Sequence, residues 1–580
     1  MWKLLPYLKH YKKESIIGPL FKLLEVCFEL LVPLIMARII DVGIKNQNLH
    51  YIWKYGAVLI LLGMLGLSCA LTAQYFAAKA AVGFGTEIRH DLFRHIGSLS
   101  YAEIDKAGSA TLVVRMTSDI NQVQTGVNLV LRLFLRSPFI VIGAMIMAFR
   151  INTKAALILA AAVPLLAVVI YGIMAATIPL YKKVQKHLDG VLGTTRENLS
   201  GIRVIRAFGM QKKEKAVFTG QSDALVSAQL SVGKLSALMN PLTYLIVNAG
   251  IIAVIWCGGI QVQIGHMTQG EVIALLSYMS QILLALIALS DLIIAFTKAM
   301  ASAGRLNEIF ALQNSLKSQT GTVTDTDRKE DTVVFREVSF FYPGSSERAL
   351  SDVSFEANAG ETIGVIGGTG SGKSTLVNLI PRFYDITKGS IRVEGKEVKN
   401  WELSKLRAQI GIVPQKAVLF HGTIRDNMRM GKEDASDTEI MEALQTAQAY
   451  EFVSRKPEGL DTMISEAGRN LSGGQRQRLT IARALVRKPK VLILDDSASA
   501  LDYATDLKLR KALREKGEDT VVFLISQRAS SIRHADRILV LDEGRAVGYG
   551  THEELEQQCD IYKEILYSQL ADQKEVGQHA

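Results

Sequence analysis

Cysteine is scarce in this sequence. Four thiols, Cys27, Cys69, Cys257 and Cys559, occur in 580 residues; no pair has CxxC spacing and none belongs to a Cys/His cluster. That excludes a disulfide framework and a thiolate metal site. The first residues, Met1-Trp2-Lys3-Leu4-Leu5-Pro6-Tyr7, lack the short apolar core and small-residue cleavage site of a signal peptide. The formal net charge is +10, yet no basic patch is interleaved with aromatics, so nucleic acid is not an expected partner.

Apolar residues are abundant, at 49%, and unevenly spread. Long apolar runs fill residues 1–310, whereas 330–580 read as an ordinary soluble α/β domain. A membrane-crossing helix needs about 20 mostly apolar residues. Six stretches qualify: 16–40, 55–80, 128–149, 155–178, 235–262 and 271–296. Pro33, Pro138 and Pro164 lie within them, and membrane helices tolerate proline. Lys and Arg near cytosolic helix ends then explain the positive charge. The amino-terminal segment reads as amphipathic and lying on the cytosolic membrane surface, with Lys9, Lys12 and Lys13 at headgroup level.

External connections such as Arg150 to Lys154 are short, while Gly85 to Gln124 and Tyr181 to Leu230 are long, polar and helix-prone. The long ones read as spans that continue into the cytosol and turn back. Residues 313–331 are polar without an apolar period and read as a linker. The expected division is 1–312 membrane domain, 313–331 linker and 332–580 soluble domain. Glu25 and Glu29, at i and i+4 in the first span, share a helix face. They read either as a cation-attracting wall of a cavity or as a pair facing other helices and hydrogen-bonded there, or near the inner interface; Asp291 in the sixth span is similar.

The soluble half is rich in motifs. Gly367-Gly368-Thr369-Gly370-Ser371-Gly372-Lys373-Ser374 fits G-x-x-x-x-G-K-[ST], after the apolar stretch Thr362 to Ile366 and before Leu376 to Ile380. Glycines let backbone N–H groups wrap phosphates, and the following helix start, with Thr375 in its first turn, adds a positive dipole end. Lys373 is placed to reach the β- and γ-phosphates and Ser374 to bind Mg²⁺. Val491-Leu492-Ile493-Leu494-Asp495 reads as a buried strand ending in a metal-supporting carboxylate.

These elements, with Leu471-Ser472-Gly473-Gly474-Gln475 between them, resemble the nucleotide-binding domain of ABC transporters. The six spans followed by one such domain resemble an exporter-type half-transporter. The resemblance implies a membrane α-helical domain of six transmembrane helices with long cytosolic extensions, then an α/β P-loop nucleotide-binding domain. It also implies that the protein sits in the plasma membrane with the nucleotide-binding domain in the cytoplasm, among membrane lipid. ATP and Mg²⁺ are the implied cofactors. Gln415 matches the residue that contacts Mg²⁺ or the attacking water, and Tyr342 the aromatic that stacks on adenine. Leu471 to Gln475 would serve a nucleotide bound by a second subunit, across an interface crossed by Ser499-Ala500-Leu501-Asp502. Short coupling helices are expected near Tyr101 to Ala110 and Phe208 to Ala216, and ENLSGIRVIRAF from Glu197 to Phe208 matches the second intracellular loop.

Three positions depart from that pattern. Asp496 stands where the family places a catalytic glutamate, Gln527 replaces its switch histidine, and Ser497-Ala498 replaces Pro-Thr. A carboxylate shortened by one methylene misplaces its charge by about 1 Å, which can cost on the order of 100-fold in rate. Glutamine donates a hydrogen bond but cannot become cationic. The resemblance therefore points to the impaired subunit of a heterodimeric multidrug exporter, moving a small amphipathic substrate. The expected partner is a second half-transporter with an intact glutamate and histidine. A dedicated lipid, peptide or siderophore exporter, a working homodimer and an ATP-binding regulatory subunit stay open.

Overall fold

The structure, a computed structural model, describes residues 2–316, 333–497, 500–516 and 519–578. The expected linker lies outside the described residues except for 313–316. The chain divides into two units: residues 1–97 with 109–311, and residues 98–108 with 312–580. The expected boundary at 312 thus moves by one residue. Residues 98–108, assigned from sequence to the first domain, pack with the second.

The first unit is helical. Among the described residues, five helices are long and apolar enough to cross a membrane: Leu49–Ser98, Ser109–Ile151, Thr153–Ser200, Gln211–Ile264 and Gln269–Phe310. Each contains one of the expected spans. The remaining expected span, 16–40, forms the helix Lys12–Arg38, whose 27 residues include Lys22, Glu25 and Glu29. At 1.5 Å per residue it rises about 40 Å, enough to cross. Helices of 42 to 50 residues outrun the roughly 30 Å hydrocarbon layer. Polar contacts tie the bundle together. Tyr278 donates to the Leu30 carbonyl at 2.7 Å, and the Asp41 carboxylate accepts from Thr268 Oγ1 and Gly270 N at the start of the last helix.

The long helix Thr153–Ser200 stops at Gly201, and the chain reverses through Ile202–Ala207 before Gln211–Ser236 returns. The second short helix therefore precedes the expected Phe208 to Ala216. Gly209, at φ 65°, makes that stretch a turn followed by the first turns of the returning helix.

The second unit is built on two sheets. β1 (Val333–Phe341) and β2 (Arg348–Ala357) pair antiparallel, and β4 (Lys388–Val393) and β5 (Lys396–Glu397) extend this sheet. β3 (Thr362–Gly367) enters a second sheet with β6 (Ile410–Val413), β9 (Val491–Asp495), β10 (Val521–Ile525), β11 (Arg537–Asp542) and β12 (Arg545–Gly550). A two-stranded pair, β7 (Gly422–Thr423) and β8 (Met463–Ile464), stands apart. The order β12-β11-β3-β10-β9-β6 is parallel except for β12 at one edge. Phe335, Phe355, Ile363 and Phe523 fill the layer between the large sheets. A ligand site in such a sheet lies beyond the carboxyl ends of its strands. The ends of β3, β9 and β10 sit side by side because β10 pairs with both neighbours.

Candidate functional site

A cleft of about 420 Å³ opens at those strand ends. Its walls bring together Tyr342, Thr369, Gly370, Gly372, Lys373, Ser374, Thr375, Gln415, Asp495, Asp496 and Gln527, with Ala349, Ile525 and Ser526. These residues are drawn from a stretch running from Tyr342 to Gln527.

The loop after β3 is shaped by glycine at two points. A Cβ on Gly367 would lie 2.0 Å from the Leu541 carbonyl oxygen. Gly372 sits at φ 96° and caps the helix Lys373–Leu379, where a Cβ would meet the Ala349 oxygen at 2.7 Å. Lys373 extends its ammonium over the loop, donating to the carbonyls of Gly367 at 2.9 Å and Gly368 at 2.6 Å. Burial lowers its pKa, while the carboxylates of Asp495 and Asp496 oppose the shift.

Ser374 Oγ donates to Asp495 Oδ1 at 3.2 Å. Burial raises the Asp495 pKa, against that hydrogen bond and the nearby ammonium. This hydroxyl, this carboxylate and the Gln415 amide in the same cleft are the hard oxygen donors that Mg²⁺ takes. Among the described residues, no group of three His, Cys, Asp or Glu could hold a metal, so a metal here would keep water or phosphate ligands.

Asp496 follows β9 at φ 45° and donates its N–H to the Ile525 carbonyl. Aspartate is among the few residues that adopt this left-handed backbone readily. Ser526 donates its N–H to Val365, so β3, β9 and β10 hold the segment that carries Gln527. Tyr342 is half-buried; its hydroxyl pairs with Thr375 Oγ1 at 3.0 Å, and its ring meets Phe340 and Tyr384 edge-on.

Leu471 to Gln475 do not line this cleft. Ser472 and Gln475 close a capping box at the start of helix Gly473–Val486, where Ser472 Oγ accepts from Gln475 N and Gln475 Oε1 from Ser472 N. Ser472 and Gly473 face solvent. A Cβ on Gly474 would lie 3.2 Å from the Ala500 carbonyl oxygen, and Asp502 holds Thr505 through both carboxylate oxygens. Ser499 lies outside the described residues.

Residues 15–286 match the ABC transporter transmembrane region, and residues 350–499 match the ABC transporter domain. An uncharacterized ABC transporter ATP-binding protein of Mycobacterium tuberculosis is 37% identical over 568 residues, 97% of either chain. The chain belongs to the ABC transporter family. Another uncharacterized relative, from Bacillus subtilis, is 37% identical over 570 residues, covering 98% of this chain and 99% of that one. A multidrug efflux ATP-binding/permease protein of M. tuberculosis is 31% identical over 97% of this chain and 47% of its own length. The fold matches a bacterial Atm1-family ABC exporter solved with ATP bound, at TM-score 0.79 and 23% identity, covering 97% of this chain and 98% of that one.

In this ABC transporter the two glutamates of the first span have partners. Lys22 Nζ donates to both Glu25 oxygens at 2.8 and 2.6 Å, and Arg136 reaches Glu29 at 3.1 Å. Each glutamate thus faces a cation, Glu25 one on its own helix and Glu29 one on another. Asp291 is exposed on its helix.

The first short coupling helix falls near the expected Tyr101 to Ala110, and the sequence reading missed only its partners. The short helix Tyr101–Ala107 lies against the soluble unit, with Tyr101 on Phe383 at 4.5 Å and Asp105 accepting from the Tyr384 hydroxyl at 2.6 Å. Burial and Asp105 push the Tyr384 pKa up. Aromatics at 383–384 were a visible signal, but their partners lie 279 residues away.

Proposed function

We propose that this chain is one half of a two-chain ATP-driven exporter of amphipathic compounds, with a nucleotide site that binds ATP firmly and hydrolyses it slowly. The observation that carries the reading is the cleft itself. The phosphate loop, Ser374 and Asp495 are assembled there beside Asp496 and Gln527, which replace the residues the family uses for hydrolysis.

Tyr342 would stack on adenine, the loop from Gly367 to Thr375 would wrap the phosphates, and Lys373 would turn its ammonium from the loop carbonyls to the β- and γ-phosphates. Ser374, Asp495 and Gln415 would hold Mg²⁺, which when bound neutralises phosphate charge. Asp496 would orient water from a carboxylate one methylene short, and Gln527 would donate to the γ-phosphate without ever gaining charge. The solvent-facing signature at Ser472 would complete a nucleotide site on the second chain. The exposed apolar tip at Val204 and Phe208 supports a second chain as well. ATP drives the cycle only through tighter binding to the closed state.

The test is ATP turnover of this chain alone in lipid, beside the same chain co-expressed with a neighbouring transporter gene. Turnover confined to the pair supports the reading. Robust turnover by the single chain, abolished by Lys373→Ala, would make it a homodimer in which Asp496 suffices. A third class, a regulatory subunit that transports nothing, predicts binding without turnover in either sample.

A further inference from the structure

The segment that carries Gln527 has an anchor from far along the chain. Gln569 Nε2 donates to the Gln527 carbonyl at 2.7 Å, and Gln569 Oε1 accepts from Ala529 N at 2.8 Å. One planar amide thus grips the backbone on both sides of Arg528. A side-chain amide, which holds a donor and an acceptor in one plane, suits this double contact.

The grip comes from a well-seated helix. Asp560–Gln578 packs its face at Tyr562, Ile565 and Leu566 on the core, with Tyr562 fully buried and its hydroxyl 2.8 Å from His552 Nδ1. Gln569 follows at i+7 from Tyr562 and i+4 from Ile565, so it continues the buried stripe. Within the segment, Arg528 N donates to Ser526 Oγ and Ser526 N to Val365. Those bonds hold the start of the segment; the amide of Gln569 fixes the Gln527 carbonyl and the first amide of the helix Ala529–Ile532.

We propose that Gln569 is a positioning residue, setting the backbone from which the Gln527 side chain reaches the third phosphate. The inference rests on the reading of Gln527 as a γ-phosphate donor. Gln569 does not line the cleft and acts through the segment it holds. Its effect therefore falls on the difference between ATP and ADP, since adenine would meet Tyr342 and the first two phosphates the loop from Gly367 to Thr375.

The experiment measures Mg-ATP and Mg-ADP binding to the full-length chain in lipid, for the native protein, Gln569→Leu, Gln569→Glu and Gln527→Ala. Gln569→Leu removes both hydrogen bonds at similar size, and it should weaken ATP roughly fivefold to thirtyfold with ADP unchanged. Gln569→Glu keeps the acceptor for Ala529 and should fall between. Gln527→Ala should match Gln569→Leu. If Gln527→Ala loses the preference for ATP while Gln569→Leu keeps it, the anchor is overturned and the role of Gln527 stands. If Gln527→Ala also keeps it, the γ-phosphate reading fails and takes the proposal with it. Equal loss of ATP and ADP in Gln569→Leu would mean general structural support and would overturn the positioning role.

Discussion

At the scale of single residues, Asp496 joins two constraints. Its carboxylate faces the cleft and its backbone is left-handed, a conformation that costs most L-residues about 1–2 kcal/mol. Lengthening the side chain restores reach but adds strain. Asp496→Glu should therefore raise ATP turnover of the assembled transporter only roughly threefold to tenfold, well short of the 100-fold that reach alone would give. A full recovery would show that Gln527 costs nothing. Glu439 shows charge used for structure. Lys432 donates to it at 2.7 Å and Ser436 N at 3.0 Å, which pushes its pKa from 4.5 to about 2. A lowered carboxylate pKa stabilises the fold above 4.5, and that gain fades as pH falls through 2. Melting temperatures of the native protein and Glu439→Gln should thus differ at pH 6 and converge near pH 2. The motif residues were legible because phosphate chemistry demands fixed types at fixed spacing. The φ angle of Asp496 was not, since it follows from bonds to β10.

At the scale of elements, the helix Tyr101–Ala107 is held by Tyr384, whose ring also meets Tyr342. Tyr384→Phe keeps the ring and deletes the bond to Asp105, a charge-assisted contact worth roughly 1.5–3 kcal/mol. Basal ATP binding should stay native while substrate-stimulated turnover drops several-fold; stimulation at the native level would leave that bond without a role in coupling. The apolar runs announced the helices correctly, because about 20 apolar residues have few other fates. The pairing of Glu25 with Lys22, only three residues away, was open to inspection, while that of Glu29 with Arg136 was not, being 107 residues distant. The second short helix was placed late because Gly201 ends its predecessor early.

At the scale of the whole molecule, Ser472 is where the proposed second chain can be tested. Ser472→Ala removes the cap from helix Gly473–Val486, worth about 1 kcal/mol. It should leave ATP binding in this chain's cleft intact and lower turnover of the pair at least roughly tenfold, the effect expected for losing a phosphate donor; unchanged turnover would detach the signature from the partner's site. The two-part plan was legible from hydropathy alone. The coupling helix near Tyr101 was expected from the resemblance, but its partners Phe383 and Tyr384 were not, because Asp105 and Tyr384 stand 279 residues apart. That separation has a consequence for biosynthesis. Asp105 leaves the ribosome 279 residues ahead of Tyr384, a wait on the order of 15 to 60 seconds at ordinary synthesis rates. Until then the helix lacks its seat on Phe383 and Tyr384, and the contact forms only by recapturing a segment made long before. A truncated messenger ending before residue 384 would leave that segment exposed for quality control to find.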